Sequence, residues 1–231
     1  MDTINLSKDK YGRTLAVINT HAVVNIDSRT KEYYMVVLVV DLNDEVAKDH
    51  FVQYVRECSN GKVFMVAVFA ADQDRKTVDP ALLSGINAWL VTSSQKKAVE
   101  IANGIQQMAT SEGQISLDLA DMKTILSHRG GCRAYYGKGV SGDELKTALD
   151  NALLQSKENG LDKDACSRYL MDISCDTELI KAQIDDFNDF CVSLSAKHDN
   201  DFEMKWGLTS PTDSTNNVIS VTLIATHSYT L

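Results

Sequence analysis

Residues 33–70 read YYMVVLVVDLNDEVAKDHFVQYVRECSNGKVFMVAVFA. The runs YYMVVLVVDL (33–42) and KVFMVAVFA (62–70) are short, β-branched and free of polar alternation, the composition of strands buried on both faces. Between them, DEVAKDHFVQYVREC carries Val46, Phe51, Val52 and Val55 at helical spacing, and Asn43 or Asp44 can cap its start. Strand, helix and strand at this separation make a βαβ unit, which implies parallel pairing through a right-handed crossover. The turn after the first strand decides what such a unit can bind. Phosphate-binding turns at this place are glycine-rich, so that backbone N–H groups and a helix N-terminus meet the anion. DLNDEVAK instead offers Asp41, Asp44 and Glu45, which repel a triphosphate.

Working outward, TLAVIN (14–19) and AWLVTSS (88–94) read as further buried strands. AWLVTSS leads into a helix over about Gln95 to Thr110, whose Ala98, Ile101, Ala102, Ile105 and Met108 form a wide apolar face; it is expected to be buried and central. The later chain alternates again: strand CRAYYGKG (132–139), helix GDELKTALDNALLQS (142–156), strand RYLMDIS (168–174), helix DTELIKAQIDDFNDFCVSL (176–194) with Ile184, Phe187 and Phe190 inward, then strands DFEMKWG (201–207) and NNVISVTLIATH (216–227). This second series implies an α/β layer with its own core. The chain contains no internal repeat.

Composition narrows the function classes. A chain of 231 residues can bury a sizeable core. Its 32 acidic residues against 23 basic ones give a net charge of -9, and no basic cluster interleaves with aromatics, which argues against a nucleic-acid ligand. The cysteines, Cys58, Cys132, Cys166, Cys175 and Cys191, are odd in number and form no C-x-x-C, so neither a disulfide framework nor a zinc site is expected, and a reducing cytosol fits them. His21, His50, His128, His198 and His227 show no ligand-like spacing, and nothing in the sequence nominates a catalytic triad. The polar N-terminus and the short apolar runs predict neither a signal peptide nor a membrane span.

One stretch is left with chemistry to explain: GQISLDLADMKTILSHRGG (113–131). Asp118 can serve as N-cap, Asp121 then falls at the third helical position where the helix dipole favours negative charge, Leu119, Met122, Ile125 and Leu126 supply a buried face, and Gly130 or Gly131 can end the helix. On these residues alone, capping is the simplest reading.

The same stretch resembles the synergy loop of FtsZ, the bacterial relative of tubulin, where N-x-D-F-A-D-V precedes a helix and a glycine. Asp118 and Asp121 match its two acidic positions, while Ser116 stands for the Asn and Leu119 for the aromatic. YYGKGVSGDELKTALDNALLQS is similar to that family's strand, glycine turn and helix, RYLMDISCDTELIKAQIDDF to its next strand and helix, and NNVISVTLIATH to its last strand. The likeness runs over about Lys62 to His227. TLAVINTHAVV and residues 34–70 resemble the N-terminal part less closely, since the G-G-G-T-G-[ST]-G signature, the glycine-rich first strand and helix, and the helix before the central one have no counterpart.

The resemblance implies an α/β fold: a degenerate Rossmann-like N-terminal half (1–94), a central helix (95–112) and an FtsZ/tubulin-type C-terminal α/β domain with a synergy-type loop (113–231). In that family one subunit's acidic loop completes the GTP site of the next. Here the acidic loop is kept and the nucleotide pocket is lost. The expectation is therefore a cytoplasmic pseudo-GTPase, not an enzyme in its own right. It would bind FtsZ or an FtsZ-like subunit through Gln114, Ser116, Asp118 and Asp121, with the two aspartates as candidates for catalysis in trans. No cofactor, metal or direct membrane contact is expected, the isolated chain should be a monomer, and a chain stopping at Leu231 would lack the family's adaptor-binding tail. The alternative is a structural protein that assembles with itself without nucleotide.

Overall fold

The computed structural model describes residues 4–21, 33–58, 63–71, 78–127, 131–196, 198, 201–210 and 218–228. They fall into two compact units. The first comprises Met1–Thr110, Asp118–Arg133 and Ser228–Leu231, and the second Ser111–Leu117 and Ala134–His227. The long helix over 95–110 and the segment Asp118–Arg133 belong to the first unit.

The first unit is built on β1 (Ile4–Lys8), β2 (Thr14–Asn19), β3 (Met35–Asp41), β4 (Phe64–Ala70) and β5 (Ala88–Thr92), adjacent in that order. β2 to β5 are parallel, with Met35 opposite Phe64 and Asp41 opposite Ala70. β1 runs antiparallel to β2 at the edge, Lys8 opposite Thr14. The apolar runs that fixed the βαβ reading are buried on both faces, as parallel pairing requires. α1 (Glu45–Cys58) covers one face, but the residues it buries are Ala47, Phe51, Tyr54, Val55 and Cys58. Val46 and Val52, expected inward, are 57% and 37% exposed. α3 (Gln95–Thr110) buries all five of its expected apolar residues, and Asn5 Nδ2 donates to its Gln106 at 2.9 Å, tying it to the edge strand. A four-residue helix, α2 (Pro80–Leu83), stands before β5. α4 (Leu119–Ile125) sinks Leu119, Met122, Ile125 and Leu126 completely.

The second unit has strand order β7 (Cys132–Ser141), β10 (Ile219–Ser228), β8 (Arg168–Ser174), β9 (Glu203–Thr209), β6 (Gly113–Ile115). β8 pairs antiparallel with β10 and parallel with β9. Tyr169, Met171, Ile173, Val221 and Leu223 form the sheet side of its core, against α5 (Leu145–Glu158) and α7 (Ile184–Ser195). Gly137 and Gly139 lie within β7 and face α5. A Cβ on either would stand 1.9 Å from the carbonyl oxygen of Ala152 or Ala148, so strand and helix meet backbone to backbone. The expected helix over 176–194 is two helices, α6 (Thr177–Ala182) and α7. They break at Gln183, whose Oε1 accepts from Leu145 N–H (2.7 Å) and whose Nε2 donates to Asp143 O (2.7 Å). Phe187 and Phe190 are buried as expected, whereas Ile184 is 44% exposed and Leu194 completes the face.

Candidate functional site

Asp118 is the N-cap of α4, with extended backbone dihedrals. Its Oδ1 accepts from Ala120 N–H at 2.7 Å and Asp121 N–H at 3.0 Å, while Asp121 Oδ2 accepts from Asp118 N–H at 3.2 Å. The two aspartates thus form a reciprocal capping box, the arrangement that three-residue spacing permits. The helix ends at Leu126, which donates its N–H to Met122 O, several residues short of the expected glycines. Gly130 lies outside the described residues, and Gly131, at φ 94°, belongs to the turn into β7.

The remaining Asp118 oxygen, Oδ2, is 3.1 Å from Arg13 Nη2. Burial alone would push this carboxyl up; the hydrogen bonds from Asp121 and Ala120 and the charge of Arg13 outweigh it and hold the group below the usual carboxylate range. Gln114 and Ser116 belong to the second unit, on and just after β6. Gln114 is exposed, and Ser116 Oγ accepts from Gly113 N–H at 3.2 Å in a tight local turn. The second unit also holds a buried carboxyl that the sequence did not single out. Asp172 on β8 is 6% exposed, accepts from Thr209 Oγ1 at 3.3 Å through Oδ2, and its Oδ1 has no hydrogen-bond partner. Burial pushes it up to about 6, the Thr209 bond opposing. A Cβ on the facing Gly207 would stand 3.2 Å from that Oδ1 and 3.0 Å from Ile115 O.

A second cluster sits at the carboxyl ends of β2 and β3, where parallel doubly wound sheets bind ligands. Asp44 caps α1, its Oδ1 accepting from Val46 N–H (2.9 Å) and Ala47 N–H (3.2 Å). His21 Nδ1 lies 2.8 Å from Asp44 Oδ2, and its Nε2 lies 3.7 Å from Asp41 Oδ2. Asp41 Oδ1 accepts from Asn43 N–H at 2.9 Å and shapes the turn. The Ala47 bond, with those from Val46 and His21 and the charge of His21, holds the Asp44 carboxyl low against the opposing effect of burial. A carboxylate of the chain itself thus occupies the end of α1 where an anion is favoured. The partners of His21 lie 20 and 23 positions away, beyond any local spacing that the sequence displays. Among the described residues no group of three His, Cys, Asp or Glu side chains is placed to hold a metal ion, and no helix is long and apolar enough to cross a membrane.

No protein-family model matches the chain. Over 126 residues it is 32% identical to the cell division protein FtsZ of Porphyromonas gingivalis, a stretch covering 54% of this chain and 26% of that protein. Among solved structures, an empty FtsZ dimer of M. jannaschii matches with a TM-score of 0.61 at 19% identity, over 86% of this chain and 65% of that one. GDP-form protofilaments of TubZ from Bacillus thuringiensis serovar israelensis match with a TM-score of 0.60 at 12% identity, over 85% and 62%. The chain spans less than two thirds of either structure, and its sequence match takes in about a quarter of the Porphyromonas protein. Sharing a stretch of sequence with one FtsZ and its fold with others, the chain is FtsZ/tubulin-like.

Proposed function

We propose that this chain is an FtsZ-like pseudo-GTPase that binds an FtsZ or FtsZ-like subunit and regulates or caps its filaments. The observation that carries the reading is the filled head of α1: Asp44 takes the helix N–H groups and His21 braces it. A phosphate entering there would have to displace a carboxylate and lie beside Asp41. The loop with Asp118 and Asp121, and Gln114 and Ser116 before it, would meet the nucleotide-bearing face of the partner, so that any hydrolysis takes place on the partner's GTP. A head-to-tail filament needs both faces on every subunit. A subunit lacking one of them ends growth, and substoichiometric inhibition follows.

Sedimentation of FtsZ with GTP, with and without this protein, tests the proposal. The expected result is co-sedimentation together with a fall in polymer at a small fraction of the FtsZ concentration. Electron microscopy of labelled protein should place it at filament ends. Label spread evenly along intact filaments, or regular filaments of this protein alone, would refute capping and favour nucleotide-independent self-assembly, in which Asp118 and Asp121 of one copy approach Asp41, Asp44 and Glu45 of the next. Such a contact brings like charges together, which is why it ranks second.

A further inference from the structure

The sequence DKYGR (9–13) joins β1 to β2. Asp9 is 6% exposed and organises the turn: Oδ1 accepts from Tyr11 N–H (3.0 Å) and Arg13 N–H (2.9 Å), and Oδ2 from Arg13 Nε (2.6 Å). Gly12, at φ 76°, supplies the left-handed residue. The product is a guanidinium aimed before it meets anything else. It stacks against Tyr11 and Tyr34, each ring centroid 4.9 Å away, and reaches Asp118 Oδ2 with Nη2. Lys123 of α4 continues the series, 5.4 Å from the Tyr34 ring and 5.7 Å from that of Phe64. An arginine fixed by a buried carboxylate and two rings differs from a mobile surface cation, since little side-chain freedom remains to be lost when it binds Asp118. With Oδ1 on two backbone N–H groups and Oδ2 on Arg13, both oxygens of Asp118 are engaged inside its own unit. The Asp121 side chain gives Oδ2 to the Asp118 N–H.

We propose that Arg13 is the positioning residue of the acidic loop: it commits Asp118 to an internal ion pair that pins the first turn of α4 to the β1–β2 turn, and leaves Asp121 as the carboxylate offered to a partner. The inference rests on the FtsZ-binding reading above and gives the two aspartates different tasks.

Arg13→Gln, Asp118→Asn and Asp121→Asn in the full chain test it. Carbon-detected NMR titration reads the tether without any partner: Arg13→Gln should raise the Asp118 midpoint towards the ordinary carboxylate range, because the lowering charge is gone. In sedimentation with FtsZ, with each variant measured well below its own melting temperature, Asp121→Asn should weaken binding about tenfold, whereas Asp118→Asn and Arg13→Gln should weaken it no more than about threefold. If Arg13→Gln does not fold, the two Asn variants decide. An Asp118 midpoint indifferent to Arg13→Gln overturns the tether. Folded Asp118→Asn that has lost FtsZ while Asp121→Asn binds like the parent overturns the division of tasks but leaves the FtsZ-binding reading standing. A parent that never sediments with FtsZ overturns that reading and the role of Asp121 with it, and the tether is then judged by the titration.

Discussion

Asp118 gives α4 its start, and that role has a measurable size. Replacing an N-cap aspartate by alanine costs about 1 kcal/mol, which in a chain of this length lowers the melting temperature by about 2–4 °C; loss of the Arg13 pair adds to it, so Asp118→Ala should melt at or beyond the upper end of that range in circular dichroism. Its pH dependence has a definite sign. A carboxyl held low in the fold contributes stability above its ordinary range and loses it as pH falls through the folded value, so Asp118→Asn should narrow the gap between stabilities measured at about pH 5 and about pH 3. Asp172 has the opposite sign. Pushed up to about 6 by burial, it contributes fully only below its ordinary range and loses that contribution as pH rises through about 6. Asp172→Asn should therefore be more stable than the parent by about 2 kcal/mol in urea unfolding at about pH 8, and nearly equal to it at about pH 4. Of these residues the sequence made Asp118 and Asp121 legible, because a capping box is local. Arg13, His21 and Asp172 were not, because each acquires its role from residues 20 or more positions away.

Elements were legible where burial is two-sided or periodic and illegible where a partner supplies what the element lacks. β3, β4 and α3 could be read at once from apolar runs and a helical stripe. β1 could not, since an edge strand half open to water carries the polar pattern of a loop. On α1 the stripe is anchored by Ala47, Tyr54 and Cys58, which a search for large aliphatics passes over, and Val46 and Val52 flank it. The break between α6 and α7 was hidden for another reason: Gln183 leaves the helical pattern to cap α5, whose own Glu144 makes no side-chain cap bond. The approach of β7 to α5 gives the sharpest test at this scale. Gly137→Ala should destabilise by about 3 kcal/mol or prevent folding, because the new methyl meets a backbone carbonyl that cannot turn away. Gly142→Ala, with nothing within 4 Å of the added carbon, should stay within about 0.5 kcal/mol of the parent. Chemical unfolding of both variants decides the comparison.

For the whole molecule, the proposal expects sedimentation equilibrium to give a monomer, and titration with fluorescent GTP or GDP to show no saturable binding at micromolar concentration; saturable binding would overturn the pseudo-GTPase reading. The feature behind this expectation is the Asp44 carboxylate on the first N–H groups of α1. An anion covalently attached to the polypeptide can be neither exchanged nor cleaved. A GTP-bearing surface carries a clock, since its contacts change when phosphate leaves. At this end of the chain the charge is the same on the first encounter and on the thousandth. Under the proposal, this surface therefore has no hydrolysis-driven release of its own, and any such release belongs to the partner's GTP at the acidic loop.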